Sequence, residues 1–222
     1  HDQVANRVRG ERLSSLVSFE ELKLIAGVVL TSPFVPLLFM GEEYGEVAPF
    51  LYFVSHQDPD LSEAVRQGRQ AEFEQLGMTE KPPDPTSETT FLRSKLDRTL
   101  RTKGNHRLLW EYYRELMRIR RELPAFRSPI REDLDVKVSE PDRSLAVRRF
   151  TGDDEAVSLF HFGSDPLSMS ISAPGEWVKV VDSSDRRWGG PGSSIPEVVV
   201  DPNAQIEVPR RTLVLFAKQN PS

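Results

Sequence analysis

An uninterrupted apolar run dominates the pattern of hydrophobic and polar positions in the first third of the chain. Residues 35–40 read VPLLFM, and Gly41 ends the run. A short apolar run without alternation is typical of a strand that is buried on both faces of a parallel sheet. Glu42 and Glu43 follow directly, and reacting groups in α/β folds lie on loops at the carboxyl ends of such strands. Taken alone, this pattern is equally consistent with a tight turn at the glycines in which the two glutamates are solvated and have no function.

Helical periodicity occurs on both sides of this run. Ser18 and Glu21 have the spacing of a capping box, so the sequence predicts a helix over residues 19–30. A second helix is expected from an N-cap at Asp60 to about residue 76, and a third over residues 106–123 with one apolar face. A helix that is followed by a buried strand is half of an α/β repeat.

The pattern changes at Leu134. From there to the end, short β-branched segments, several with period-two alternation, are separated by clusters of turn-forming residues. Closely spaced strands without helices between them predict an antiparallel β-sandwich or barrel. We therefore expect an α/β plus all-β chain, with one domain over residues 1–125 and a carboxyl-terminal β-sandwich domain over residues 126–222.

Composition narrows the possible functions. The 222 residues carry a net charge of -5 with scattered cations, which disfavours nucleic acid as a partner. There are no cysteines, and the 4 histidines show no metal-ligand spacing, so neither disulfides nor a zinc site is expected. The longest apolar stretch, residues 24–30, is too short to span a bilayer. These features predict a soluble, cytoplasmic protein without a membrane partner. The chain also opens on His1 without a methionine, so we expect it to be a piece of a longer protein.

Aromatic side chains follow the two glutamates. Phe50, Tyr52 and Phe53 leave the same predicted strand end. Aromatic residues are often core, but flat rings beside a site are also good platforms for the apolar faces of sugars. Carboxylates beside aromatic rings, in a sequence without a phosphate-binding glycine loop, suit hydrolysis at the anomeric carbon of a sugar.

Several segments resemble one known family. The opening His1-Asp2-Gln3 is similar to the region of the α-amylase superfamily where a His-Asp pair ends the seventh barrel strand, and PLLFMGEEYG resembles its eighth-strand segment. HDQVANRVRGERL, LLFMGEEYGEVAPFLYFVSHQDPDLSEAVRQGRQAEF and TTFLRSKLD resemble the maltooligosyltrehalose trehalohydrolases within that superfamily. The resemblance covers essentially the whole chain. It implies the carboxyl-terminal part of a (β/α)8 TIM barrel, from the end of strand seven, followed by an antiparallel β-sandwich.

The resemblance also implies roles for the first residues. Asp2 matches the superfamily's third catalytic carboxylate, which stabilises the transition state. His1 matches a histidine that hydrogen-bonds to the sugar being cleaved, and Gln3, Asn6 and Arg7 are expected to touch neighbouring sugars.

Glu43 matches the glutamate of the eighth-strand motif, which supports substrate binding rather than catalysis. Tyr52 and Phe53 are expected to bind substrate through the aromatic loop. The family's nucleophile and general acid follow strands four and five, which would precede His1, so this chain is expected to contain neither.

The activity that the resemblance implies is that of a retaining glycosidase. It would release trehalose from maltooligosyl trehalose or a related α-1,4-glucan substrate, without a metal or organic cofactor. The remainder of the barrel would be this chain's partner. The chain alone is expected to be inactive. A glycogen-branching or debranching enzyme of the same superfamily and a non-catalytic glycan-binding or packing module are the alternatives.

Overall fold

The computed structural model describes residues 2–127 and 133–219, which divide into two compact units. We call residues 2–17 and 39–103 the loop unit, and residues 18–38, 104–127 and 133–219 the strand unit. Over the described ranges, no helix is both long and apolar enough to cross a membrane.

The α-helices and strands follow one another in two blocks. The helices are α1 (Asp2–Ala5), α2 (Leu13–Leu16), α3 (Phe19–Thr31), α4 (Pro59–Gln75), α5 (Glu88–Arg93) and α6 (Gly104–Glu122). The strands are β1 (Leu134–Ser139), β2 (Ser144–Thr151), β3 (Asp154–His161), β4 (Leu167–Met169), β5 (Trp177–Asp182), β6 (Val198–Val199), β7 (Ile206–Val208) and β8 (Thr212–Lys218). One-turn 3₁₀ helices lie at Glu42–Tyr44, Pro124–Phe126 and Arg186–Trp188, and a longer one at Arg98–Thr102.

The strand unit is built on a six-stranded antiparallel sheet in the order β1-β2-β3-β8-β5-β6. A second sheet pairs β4 with β7, Leu167 opposite Val208. Apolar side chains from both sheets, including Leu159, Val208 and Phe216, form one buried cluster. Two antiparallel sheets that share a core in this way confirm the predicted sandwich.

The other face of the large sheet is covered by α3 and α6. Strand β8 is buried on both sides, because Val214 and Phe216 point into the sandwich core while Leu213 and Leu215 pack with the helices. Period-two alternation on a strand with two covered faces gives the apolar run seen in the sequence. This second cluster includes Leu116 and Phe160, so both faces of the sheet bury apolar surface.

Helix α3 begins and ends at residues that satisfy its terminal backbone groups. The predicted capping box is confirmed, since Ser18 and Glu21 each bond to the other's backbone amide. At the other end, buried Arg149 donates to the carbonyls of Thr31 and Ser32, at 3.2 and 3.1 Å. Arg120 from α6 donates to the carbonyl of Ser32 as well, at 2.6 Å. Positive charge at a helix carboxyl end is favourable because unpaired carbonyls point there.

The predicted buried strand over residues 35–40 is wrong for this chain. The segment has no regular structure, and Val35 and Leu37 are 89% and 94% exposed. A strand of a parallel sheet needs neighbours to pair with, and none of the described strands pairs with this segment. The described chain covers only part of the segment, since Leu38 packs against the cluster of the strand unit and Phe39 is half-buried, while Val35 and Leu37 stay exposed.

The N-cap of α4 is Asp58 rather than Asp60, because Pro59 occupies the first helical position, where its missing amide costs nothing. The compact units also do not coincide with the predicted division at residues 125 and 126, because α3 and α6 pack with the strands. That division into a barrel part and a sandwich stays a prediction about the longer protein.

Candidate active-site segment

The predicted catalytic carboxylate, Asp2, begins α1. The helix is four residues long, and its turns are closed by the amide of Asn6 on the carbonyl of Asp2, at 2.9 Å, and that of Arg7 on Val4, at 3.1 Å. Asp2, Gln3 and Asn6 are exposed, as a group that meets substrate must be. Arg7 is also exposed and lies 3.4 Å from Glu11. His1, the predicted sugar-binding histidine, lies outside the described residues.

The two glutamates after the apolar run form a tight turn. Glu42–Tyr44 is one turn of 3₁₀ helix between Gly41 and Gly45, which have φ angles of 88° and 68°. Residues other than glycine rarely adopt such φ angles, and a Cβ on Gly41 would lie 2.7 Å from the Cβ of Glu46. The Glu42 carboxylate turns back to accept from the amide of Phe39, at 3.2 Å. The predicted substrate-binding Glu43 is half-buried.

A third glutamate, which the sequence did not single out, anchors this turn. Glu46 is 1% exposed and its carboxylate accepts four hydrogen bonds. One oxygen binds the amides of Val47 and Ala48, at 2.8 and 2.9 Å. The other binds the Tyr44 hydroxyl and the amide of Asp97, at 2.9 and 2.7 Å. A buried carboxylate is tolerated only when its oxygens are satisfied in this way.

The buried environment of Glu46 also changes the pKa of Tyr44. Burial, together with the hydrogen bond that its hydroxyl donates to Glu46, raises the pKa of Tyr44 to about 12. The phenol therefore stays neutral and remains a donor across the whole physiological range.

Arg12 is the buried counter-charge of the turn. It is 5% exposed, and it donates to the carbonyl of Ala48 at 2.6 Å and to that of Met40 at 2.8 Å. Its guanidinium also lies 5.2 Å from the centre of the Phe39 ring. Burial lowers the pKa of Arg12, while the negative charge of Glu46 acts in the opposite direction. The carbonyls on both sides of the glutamate turn are thus held by one side chain from the segment that follows α1.

The aromatic loop is continuous with the glutamate turn. Phe39 meets Phe50 edge-to-face at 4.9 Å, Phe50 meets Phe53 at 6.2 Å, and Phe53 meets Phe91 at 5.2 Å. Phe53 is half-buried in this row of rings. Tyr52, by contrast, is 41% exposed. A partly exposed ring on a packed backbone is the geometry in which an aromatic residue can stack against a ligand.

The loop unit therefore brings three predicted elements into one compact body. The segment after α1 meets the aromatic loop directly, since the amide of Phe50 donates to the carbonyl of Gly10 at 2.9 Å. The glutamate turn is joined to both through Arg12 and Phe39. Sequence reasoning missed Arg12 and Glu46 because burial of a charged side chain is decided by tertiary contacts rather than by a local pattern. In the described ranges, no three acidic, histidine or cysteine side chains are grouped so as to hold a metal ion.

Solved structures of the α-amylase class share this fold. A candidate α-amylase from Salmonella typhimurium is 29% identical with a TM-score of 0.76, over 99% of this chain and 34% of its own. The α-amylase from H. orenii is 16% identical with a TM-score of 0.55, over 91% of this chain and 36% of its own. The chain belongs to the α-amylase superfamily. Its fold class is confirmed as the carboxyl-terminal part of a (β/α)8 barrel followed by an antiparallel β-sandwich.

Curated relatives in sequence indicate a narrower family than the solved structures do. The malto-oligosyltrehalose trehalohydrolase of Rhizobium sp. (strain M-11) is 37% identical over 197 residues, which are 88% of this chain and 32% of the relative. That of Brevibacterium helvolum is 47% identical over 125 residues, which are 56% of this chain and 21% of the relative. The predicted resemblance is confirmed: the chain is homologous to the malto-oligosyltrehalose trehalohydrolases and spans about a third or less of their length. No protein-family model matches it.

Proposed function

We propose that this chain is part of a retaining glycoside hydrolase that releases trehalose from maltooligosyl trehalose. The bond cleaved is the α-1,4 bond beside the terminal trehalose unit. The observation that carries the proposal is the 37% identity to a trehalohydrolase over 197 residues, which are 88% of the chain.

The reaction proceeds by double displacement. A carboxylate attacks the anomeric carbon, and an acid protonates the trehalose oxygen as the bond to it breaks. Water then hydrolyses the glycosyl-enzyme ester through the same acid-base group. The nucleophile and the acid belong to the rest of the barrel, and this chain supplies charge and binding contacts around them.

Asp2 is the transition-state stabiliser in this proposal. Its exposed carboxylate would face the positive charge that develops on the ring being cleaved. The negative charge of Asp2 would therefore stabilise the transition state more than the bound substrate. His1, Gln3, Asn6 and Arg7 would bind hydroxyls of that sugar and its neighbours.

Glu43, Tyr52 and Phe53 would form the support on the trehalose side. The exposed ring of Tyr52 offers a stacking surface, while half-buried Phe53 holds the loop against Phe50 and Phe91. Glu43 sits on a turn that Glu46 and Arg12 make rigid, which favours a supporting role over one that needs motion.

The rest of the barrel would cover the exposed apolar side chains of residues 34–37. Phe34, Val35 and Leu37 are the most exposed large apolar side chains described, and contiguous apolar exposure marks an interaction surface. Pairing with the missing barrel strands would satisfy this surface.

Product analysis of the full-length protein that contains this chain tests the proposal. We expect free trehalose from maltooligosyl trehalose, and no trehalose from the 222-residue chain alone, because groups that act as a unit lose nearly all activity together. A branched glucan as the product would instead indicate a branching enzyme. Trehalose release by the isolated chain would contradict the assigned division of the catalytic groups.

A further inference from the structure

Arg69 in α4 caps the helix that carries Asp2. Its side chain is only 10% exposed, and its Nη2 donates a short hydrogen bond to the carbonyl of Ala5, the last residue of α1. A four-residue helix is unstable by itself, and its last carbonyls have no partner within the helix. The orientation of α1 therefore depends on the group that binds its carboxyl end, and this group is the Arg69 guanidinium.

The same guanidinium lies over Tyr52. Its central carbon is 5.1 Å from the centre of the Tyr52 ring and 4.5 Å from that of Phe73, which is buried. Cations at this distance from a ring face are attracted to it. Tyr52 is 41% exposed, so the Arg69 guanidinium holds a ring that is only partly buried.

Arg66, one turn earlier on α4, shows what an ordinary surface arginine does there. It is bound to Glu63 on its own helix, at 2.8 Å from Nε. Its side chain is 44% exposed, against 10% for Arg69. Arg69 also bonds to a neighbour on α4, Glu72, at 2.7 Å, but it alone of the two reaches a ring and a carbonyl of other segments.

We propose that Arg69 is a positioning residue that sets substrate selectivity by holding the Tyr52 ring and the Asp2 helix in one fixed arrangement. The inference rests on the proposed function. A substrate that stacks on Tyr52 while its neighbouring sugar meets Asp2 is bound productively only when both are in register, and small misplacements of such groups are costly. Maltooligosyl trehalose and a plain maltooligosaccharide differ in the sugar that Tyr52 would contact.

The test compares Arg69→Met with Arg66→Met in the full-length protein. Met retains the apolar packing of the stem but removes the charge and the donors. The measured quantity is the ratio of kcat/KM for maltooligosyl trehalose to kcat/KM for a maltooligosaccharide of equal length. We expect this ratio to fall about tenfold in Arg69→Met and to stay unchanged in Arg66→Met. Arg69→Lys should fall between, since it keeps the cation but not the planar fork.

A double-mutant cycle separates positioning from general stabilisation. If Arg69 acts through Tyr52, then adding Arg69→Met to Tyr52→Ala should lower the ratio no further than Tyr52→Ala does alone. Amide exchange at Asn6 and Arg7, whose amides close α1, should be faster in Arg69→Met than in Arg66→Met. A lowered melting temperature with an unchanged ratio would mean a purely structural role and would overturn the inference.

The wild-type protein distinguishes this inference from the proposed function. If it releases no trehalose, the proposed function fails and the inference fails with it. If it does release trehalose and Arg69→Met has the wild-type ratio, the proposed function stands and only the inference is overturned.

Discussion

The two compact units differ in how much of their buried interior is apolar. In the strand unit, a six-stranded sheet buries apolar side chains on both faces, with Trp177, Leu213 and Phe216 fully inaccessible, and the buried charges of Lys23 and Arg149 are a small part of that interior. In the loop unit, the buried side chains include the charged Arg12 and Glu46 beside apolar Leu51 and Phe73. On the proposed function, the glutamate turn would present carboxylates and aromatic rings to a sugar, and a turn that does so cannot cover itself with apolar side chains. Buried hydrogen-bonded charges fix its geometry instead.

This contrast predicts that the units respond differently to substitution. Apolar burial is non-directional and stabilises the strand unit as a whole, whereas removal of one buried charge leaves a specific partner uncompensated. All 3 tryptophans, at positions 110, 177 and 188, lie in the strand unit, so tryptophan fluorescence reports on that unit alone.

The largest effect is expected for Phe160→Ala. Phe160 belongs to the cluster between the sheet and the helices, and truncation of a buried phenylalanine costs about 3–5 kcal/mol. Urea unfolding of the 222-residue chain, followed by tryptophan fluorescence, should show the loss. Phe162→Ala is the control, because Phe162 stacks on Phe160 but is 41% exposed. Equal losses in both variants would show that burial does not govern this unit.

Glu46→Gln should have a smaller and local effect. The substitution keeps the size of the side chain but leaves Arg12 without its buried counter-charge. It also turns an amide NH₂ group toward backbone donors, so the free energy of unfolding of the loop unit should fall by about 1–3 kcal/mol. Amide exchange at Val47, Ala48 and Asp97 should accelerate, with the tryptophan transition unmoved. Glu43→Gln serves as the matched control. A tryptophan transition that shifts with Glu46→Gln would mean that the units do not differ as described.

The alkaline behaviour of Tyr44 sharpens the same comparison. Its pKa is raised to about 12 in the folded chain by burial and by Glu46, above the ordinary value of 10.0. Stability from this group is therefore fully present below pH about 10 and is lost as pH rises through about 12. The tyrosinate absorbance of wild type minus that of Tyr44→Phe should titrate near pH 12 in the folded state and near pH 10 in urea. Titration near pH 10 in both would show that Tyr44 is not buried against Glu46.

Tyr52→Ala should have the smallest effect on stability, less than about 1 kcal/mol, because 41% of the residue is already exposed. Its effect should appear in selectivity between maltooligosyl trehalose and plain maltooligosaccharide. A loss of about 3–5 kcal/mol with selectivity unchanged would indicate a core residue.

Features set by local pattern could be predicted from the sequence. The capping box at Ser18 and Glu21 needs only spacing, and the strands after Leu134 need only alternation and turn residues. The sandwich could be predicted from the strand and turn patterns, and the superfamily resemblance from short sequence motifs.

Features set by distant partners could not be predicted. Residues 35–40 have the composition of a buried strand, but pairing depends on strands that the described chain does not contain. Glu46 is one of three glutamates in GEEYGE, and its burial and its contacts with Asp97 and Tyr44 distinguish it from Glu42 and Glu43. Arg69 likewise matches an ordinary helix arginine until Tyr52 and Ala5 are placed beside it.

On the proposed function, the loop unit serves catalysis while the strand unit provides stability. The most direct test is Asp2→Asn in the full-length protein, with kcat, KM and the melting temperature measured together. Loss of one charge that faces a developing cation should lower kcat by about 10²-fold or more. KM and the melting temperature should change little, because Asp2 is exposed in the folded chain. A variant that keeps more than half of the wild-type kcat, or that loses activity only because it melts earlier, would contradict the account.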